Sequence, residues 1–163
     1  MILAEQPSND VGRCRPPVEL GRDTGVNLWY VTAVSGSQQK AGAWGESVAA
    51  ARLLAGGFVV LSPSTPESYD MVATRGDQYH RIQVKCTRKT KLYRPGLARY
   101  QFTIARRRPS YTKSDTDYVL LVALDIERCW LIPVEKITTP TVAINTKSPS
   151  KWDVYSEAWH LLD

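Results

Sequence analysis

The chain has 163 residues, 43% of them apolar, and a net charge of +5. That is enough for one domain with a real core, with no run of about 20 apolar residues to cross a bilayer and no basic, apolar leader in the opening MILAEQPSND. Cys14, Cys86 and Cys129 are few and widely spaced, which excludes a disulfide scaffold or zinc-ligand spacing and points to a reducing compartment.

The charge is concentrated. Residues 71–113 hold Arg75, Arg81, Lys85, Arg88, Lys89, Lys91, Arg94, Arg99, Arg106, Arg107, Arg108 and Lys113, opposed by Asp77 alone. Such asymmetry is the footprint expected of a polyanion partner. The alternative is a solvated basic face.

Residues 1–37 mix Pro16-Pro17, Gly21, Gly25 and scattered charges without a period. We expect a poorly structured extension, with Leu28–Val34 as one short strand. A second reading places the stretch upstream of the native start, because the next methionine is Met71 and translation can begin at a valine codon. From residue 38 to 163 the pattern is that of a folded domain. Ser37 suits an N-cap, and Trp44, Val48, Ala51 and Ala55 recur at helical spacing and are expected to face the core. Gly42, Gly45 and Ala49 form a small-residue stripe that permits close packing, with Glu46 beside it. Gly56-Gly57 ends the helix.

Phe58–Leu61 reads as a strand, broken by Ser62-Pro63-Ser64-Thr65-Pro66. Tyr69 to Lys89 follows as two extended segments about a turn at Arg75–Gln78. Alternation puts Arg81, Gln83, Lys85 and Thr87 on one face and Ile82, Val84 and Cys86 on the other. Arg88–Leu97 reads as a basic loop, Arg99–Ala105 as a strand, and Tyr118–Leu124 with Arg128–Ile132 as an apolar hairpin. Pro133–Ile137 suits a short helical turn and Val142–Ile144 a last strand. Trp152, Tyr155, Trp159 and Leu162 share one face of an expected terminal helix. The whole reads as an α/β or α+β domain with a mixed sheet.

Asp70, Gln83 and Lys85 are the residues that suit metal-assisted phosphodiester hydrolysis. Mg²⁺ takes hard oxygens and keeps several waters, so one or two carboxylates suffice. Asp70 is the first ligand expected. The Gln83 side-chain oxygen and the Val84 backbone carbonyl can add neutral donors, and Glu46 can reach the same site directly or through water. Lys85 suits stabilisation of the developing anion or orientation of the attacking water. Each residue also has a plainer reading: a solvated helix acid for Glu46, a strand-edge acid for Asp70, an exposed strand face for Gln83 and Lys85. His80, His160 and the cysteines read as structural, Tyr93 and Tyr100 as packing residues, and Asp115 and Asp117 as turn or capping acids.

The order of Glu46, then Pro66-Glu67-Ser68-Tyr69-Asp70, then Gln83-Val84-Lys85 resembles the PD-(D/E)XK nuclease superfamily in a QxK form. Within it the chain looks most like the branch holding a group I intron homing endonuclease. The hairpin from Asp117-Tyr118-Val119 to Arg128–Val134 and the Glu157–Leu161 stretch are similar to that branch as well. The resemblance implies a restriction-endonuclease-like core with a mixed central sheet flanked by helices. It implies Mg²⁺, with Mn²⁺ as a substitute, DNA as substrate, and Glu46, Asp70, Gln83 and Lys85 as the catalytic set. The pattern departs from its family at Gln83, where a carboxylate is replaced and one negative charge is lost. Pro66 is also farther from Asp70 than in a literal Pro-Asp pair.

Arg75, Arg81, Arg88, Lys89, Lys91, Arg94, Arg106, Arg107 and Arg108 are expected to meet phosphates. Two-strand cutting by a chain with one site implies a homo-oligomer, a dimer or a tetramer, with the Tyr118–Ile132 hairpin and the terminal helix as candidate surfaces. A cytoplasmic setting, bacterial, phage-type or nucleoid-associated, fits these features. Alternatives are a Holliday-junction resolvase, a non-catalytic DNA-binding domain on a degenerate nuclease fold, and a basic structural protein.

Overall fold

A computed structural model describes residues 36–104 and 111–163. The expected extension and its Leu28–Val34 strand lie outside the described residues, as do Cys14 and Arg106, Arg107 and Arg108. The described order is helix α1 (Ser37–Ala55), strands β1 (Val59–Leu61), β2 (Met71–Arg75), β3 (Gln78–Thr87), β4 (Lys91–Arg94), β5 (Leu97–Thr103), β6 (Tyr118–Ala123), β7 (Arg128–Pro133) and β8 (Thr141–Asn145). Three short 3-10 turns cover Val134–Lys136, Asp153–Tyr155 and Trp159–Leu162. This is a mixed α+β architecture.

Two sheets form. The larger has the order β1-β2-β3-β6-β7 and the smaller β4-β5-β8. The first is antiparallel except where β3 runs parallel to β6, with Gln83 opposite Val119 and Lys85 opposite Leu121. β6 is covered on both faces, so it reads as the continuous apolar run YVLLVA. On one side Val48, Ala49 and Leu53 of α1 pack with Met71, Ile82, Val84, Leu120 and Val122. On the other, Val119, Leu121, Trp130 and Ile132 pack with Tyr100, Phe102, Val142 and Ile144 of the smaller sheet. The strand side chains of the Tyr118–Ile132 hairpin are therefore mostly buried, with β7 at the edge of its sheet. Those apolar faces are unavailable as the oligomer surface expected from their hydrophobicity.

Four other expectations change. α1 buries Gly45, Val48, Ala49 and Leu53, whereas Trp44 is 47% exposed and Ala51 and Ala55 are exposed. The small-residue stripe, not the bulky one, is the packing face, because a helix lying this close on β3 leaves no room for larger side chains. The cap position is Gly36, with Ser37 already helical. The basic loop at 88–97 contains β4 and a hairpin turn with Gly96 at φ +75°, so that alternation was hidden by charge. The terminal helix is two separate 3-10 turns, split at Glu157, which has φ +50°. Trp152 and Leu162 are buried as expected.

Candidate active site

The site lies where β2 and β3 part. β2 begins at Met71, paired with Ile82, and the Asp70 amide still reaches the Ile82 carbonyl at 2.9 Å. Beyond Ile82 the β2 side of β3 has no strand. Backbone groups alternate in direction along a strand, so Val84 turns its N–H and its carbonyl to this open edge. The Val84 N–H finds the Asp70 carboxylate instead, at 2.7 Å. The Gln83 amide also donates to the same Asp70 oxygen and lies 3.3 Å from the Val84 carbonyl oxygen. A strand end thus supplies a carboxylate, an amide and a backbone carbonyl within one small volume.

Glu46 arrives from α1. The helix can come this close because residue 45 is glycine: a Cβ there would lie 2.7 Å from Cys86 Cβ and 2.9 Å from its Sγ. The Cys86 thiol reaches the Ala41 carbonyl at 3.1 Å, a second point of helix–strand contact. Glu46, Asp70, Gln83, Val84 and Lys85 all line one open groove of about 1060 Å³. A smaller hollow of about 410 Å³ meets it at Glu46 and Asp70 and is walled by Ser62, Pro63, Pro66 and Glu67. Gly42 also lines the groove, and a Cβ on it would meet open space. The two glycines of the stripe therefore differ: one permits contact and the other leaves room.

Burial raises the Glu46 carboxyl above its ordinary range, and the neighbouring Asp70 charge adds to the rise while Lys85 opposes it. Burial likewise raises Asp70, against the lowering effects of the Val84 N–H, Lys85 and Gln83. Glu46 and Asp70 lie near one another and near Lys85. Their donors are hard oxygens, and two neighbouring carboxylates suit a divalent cation. Among the described residues no group of three His, Cys, Asp or Glu gathers. Any metal must accept neutral ligands beside the two acids.

Another wall is the loop over residues 111–117. Arg81, on the Gln83 face of β3, is bound by it. Its Nε reaches Asp117 Oδ2 at 3.1 Å and its Nη2 reaches Oδ1 at 3.0 Å, while the Ser114 and Lys113 carbonyls accept at 2.7 Å each. Asp115 caps the loop through Thr112 N–H and Oγ1, both at 2.8 Å. Ser68 Oγ ties it to the Asp70 segment through the Asp115 carbonyl at 2.7 Å. Tyr111 then stands with its ring centroid 5.3 Å from Lys85 Nζ. Tyr111, Ser68 and Asp115 all line the groove. None was singled out from the sequence as a site residue, since only the fold brings 111–117 beside β3. Asp115 has the capping role expected of it, while Asp117 holds Arg81.

The basic residues divide. Arg88 and Lys91 line the groove, with Arg88 also bonded to the Ser37 carbonyl. Lys89 and Arg94 are exposed. Arg75 and Arg81 are not free: Arg75 pairs with Asp163, donates to the Gly56 carbonyl and lies over Phe58. Both guanidiniums take protein acceptors where phosphate was expected. His80 is structural as expected, its Nε2 lying 3.1 Å from the Leu162 carbonyl. Tyr100 packs as expected, but Tyr93 is 49% exposed.

No curated protein sequence matches the chain. Among solved structures, a bacterial homing endonuclease, I-Ssp6803I, is similar: 26% identity, 77% of this chain and 93% of that one covered, TM-score 0.64. The sequence profile of the PD-(D/E)XK endonucleases matches residues 36–161, from the cap of α1 to the last 3-10 turn. With the helix, the parted strands and the groove between them in the expected order, the chain belongs to the PD-(D/E)XK endonuclease family.

Proposed function

We propose that this nuclease is a Mg²⁺-dependent DNA endonuclease of homing-endonuclease-like type, with Mn²⁺ able to substitute, and that residues 38–163 form its catalytic domain. The observation that carries this is the meeting of Glu46, Asp70, Gln83, the Val84 carbonyl and Lys85 on one groove at the parting of β2 and β3. Asp70, the Gln83 side-chain oxygen and the Val84 carbonyl would hold the ion, with Glu46 reaching it directly or through water. A half-turn of the Gln83 amide exchanges Nε2 for Oε1, which is the arrangement a cation beside Asp70 requires. When bound, the ion supplies a more acidic water and neutralises charge on the scissile phosphate.

The chain's own groups do the rest. Glu46 and Asp70 accept hydrogen bonds from the attacking water and orient it. Lys85 donates to the phosphate oxygen that gains charge, and Tyr111 limits where its ammonium can go. Arg88, Lys91, Lys89 and Arg94 hold neighbouring phosphates along the groove. Because Gln83 is neutral, this set carries one charge fewer than a carboxylate in its place would give. That favours one ion over two. Two-strand cutting then calls for a second copy of the chain, in a dimer or tetramer.

The test is cleavage of supercoiled plasmid and a synthetic four-way junction with Mg²⁺, Mn²⁺ or EDTA, using wild type, Asp70→Ala and Lys85→Ala. Metal-dependent cutting by wild type and loss in both variants is the expected result. Preference for the junction would redirect the reading to a resolvase. Metal-independent binding without cutting would redirect it to a DNA-binding module. Full cutting by Asp70→Ala would sink the site assignment.

A further inference from the structure

The β4–β5 ribbon has properties that phosphate contact alone does not require. All four residues of β4 are exposed, Leu92 by 74% and Tyr93 by 49%. β4 is the outer strand of the small sheet. Its pairing slips between Leu92↔Ala98 and Arg94↔Leu97, so Tyr93 sits at a bulge, a device that re-aims a side chain. The Arg99 guanidinium lies 3.8 Å from the centre of the Tyr93 ring. Residues 88–99 carry Arg88, Lys89, Lys91, Arg94 and Arg99 and no acid. At its root Lys91 lines the catalytic groove.

A surface built only to hold phosphates needs lysine and arginine, not an exposed leucine on an edge strand, which invites aggregation. From Arg99 onward β5 also pairs with β8, so the two-stranded part is the hairpin tip over residues 92–97, and two strands are what a DNA major groove admits. An arginine lying flat on an aromatic ring loses little further freedom on binding, and its edge N–H groups stay free for two parallel hydrogen bonds. We propose that the β4–β5 ribbon reads base edges in the major groove of duplex DNA beside the cut site. Arg99, held by Tyr93, donates to O6 and N7 of a guanine. Leu92 packs on a thymine methyl. This rests on the reading of the substrate as DNA and adds the element that gives it sequence preference.

The probe is a duplex library with a randomised segment, selected by binding in Ca²⁺ without Mg²⁺. Wild type is expected to enrich a preference that includes a guanine. Arg99→Lys and Tyr93→Leu should lower discrimination at that position about tenfold and leave other positions unchanged. Leu92→Ala should do the same at a thymine. Lys89→Ala should weaken all sequences alike and lower the salt slope by about one. Thermal melting checks that each variant is folded. An unchanged preference in the Arg99 and Tyr93 variants would overturn the proposal, as would a wild type that enriches nothing. Plasmid cutting in Mg²⁺ keeps the two readings apart. A wild type that cuts, with its preference untouched by these variants, removes the ribbon and spares the nuclease. A ribbon-dependent preference, with no cutting under any metal of a plasmid carrying the enriched sequence, removes the nuclease and spares the ribbon.

Discussion

At the parting of β2 and β3, Asp70, Gln83 and the Val84 backbone satisfy one another. A helix lies on one side at a distance only glycine allows. Along β4, four consecutive side chains meet water, and the closest organised contact is one arginine on one tyrosine. The first region fixes geometry and the second leaves it adjustable. Chemistry on a phosphate needs placement to a fraction of an ångström, whereas contact with a long polyanion tolerates side chains that move. A change at the parting strands should therefore cost both stability and cutting, except where it removes only a charge. A change on the ribbon should cost stability almost nothing.

The largest effect expected is at Asp70. Asp70→Asn keeps an acceptor for the Val84 N–H but loses the charge. Cutting should fall at least about a hundredfold while the melting midpoint stays near wild type. A collapse of the midpoint would show that the carboxylate is there for structure. Next is Gly45→Ala, whose Cβ would lie 2.7 Å from Cys86 Cβ. Overpacking of this kind costs about 1–3 kcal/mol, read as a denaturant midpoint, and cutting should fall with it as Glu46 is displaced. Adding Cys86→Gly should restore part of both, and a silent Gly45→Ala would break the comparison.

Smaller again is the Arg81–Asp117 clamp. Its side chains are 33% and 21% exposed, so Asp117→Asn should cost about 1–2 kcal/mol. Burial raises the Asp117 carboxyl, and the Arg81 side chain and N–H outweigh it, so the net direction is down. The folded value lies below the unfolded one, so the contribution is present above the ordinary carboxylate range. It is lost as pH falls through the folded value. Wild type should therefore lose more stability than Asp117→Asn on acidification below about pH 4, measured by denaturation in a pH series. The smallest effect is at Leu92→Ser, expected to move stability by less than about 0.5 kcal/mol. A large drop there would mean that the ribbon is a packed element after all.

That Glu46, Asp70, Gln83 and Lys85 meet on one groove could be read from the chain because these residues are local or carry chemistry that is odd for their place. A glutamine and a lysine two apart on a strand otherwise apolar on its far face have no simple packing use, and Asp70 is only 13 residues from Gln83. The fate of Arg81 could not be read. It shares a face with Gln83 and Lys85, and its capture depends on Asp117, 36 residues away. The same holds for Arg75, whose partner Asp163 is 88 residues off. Charge is visible in sequence and its neutralisation is not. Bulk is a misleading sign of the packing face of α1. Where a helix presses on a strand, smallness is the better sign, and Trp44 is left at the surface. Tyr111 belongs to the groove only because the Arg81 clamp brings its loop to β3.

The single parallel pairing among the described residues, β3 with β6, also sets an order of events. The chain must travel from Thr87 through β4 and β5 before Tyr118 can lie beside Ile82. Hairpin closure takes microseconds, whereas contacts across long separations pay a larger loop entropy and come later. The β2–β3 turn can bring Asp70 to Gln83 and Val84 while the wall bearing Tyr111 is still unplaced. A chain emerging from synthesis would then hold the Asp70–Gln83–Val84 cluster before it holds a groove, and it would be harmless to nucleic acid until β6 docks. Refolding should show the order directly: amide protection at Val84 should appear before cutting returns, and simultaneous recovery of the two would refute it.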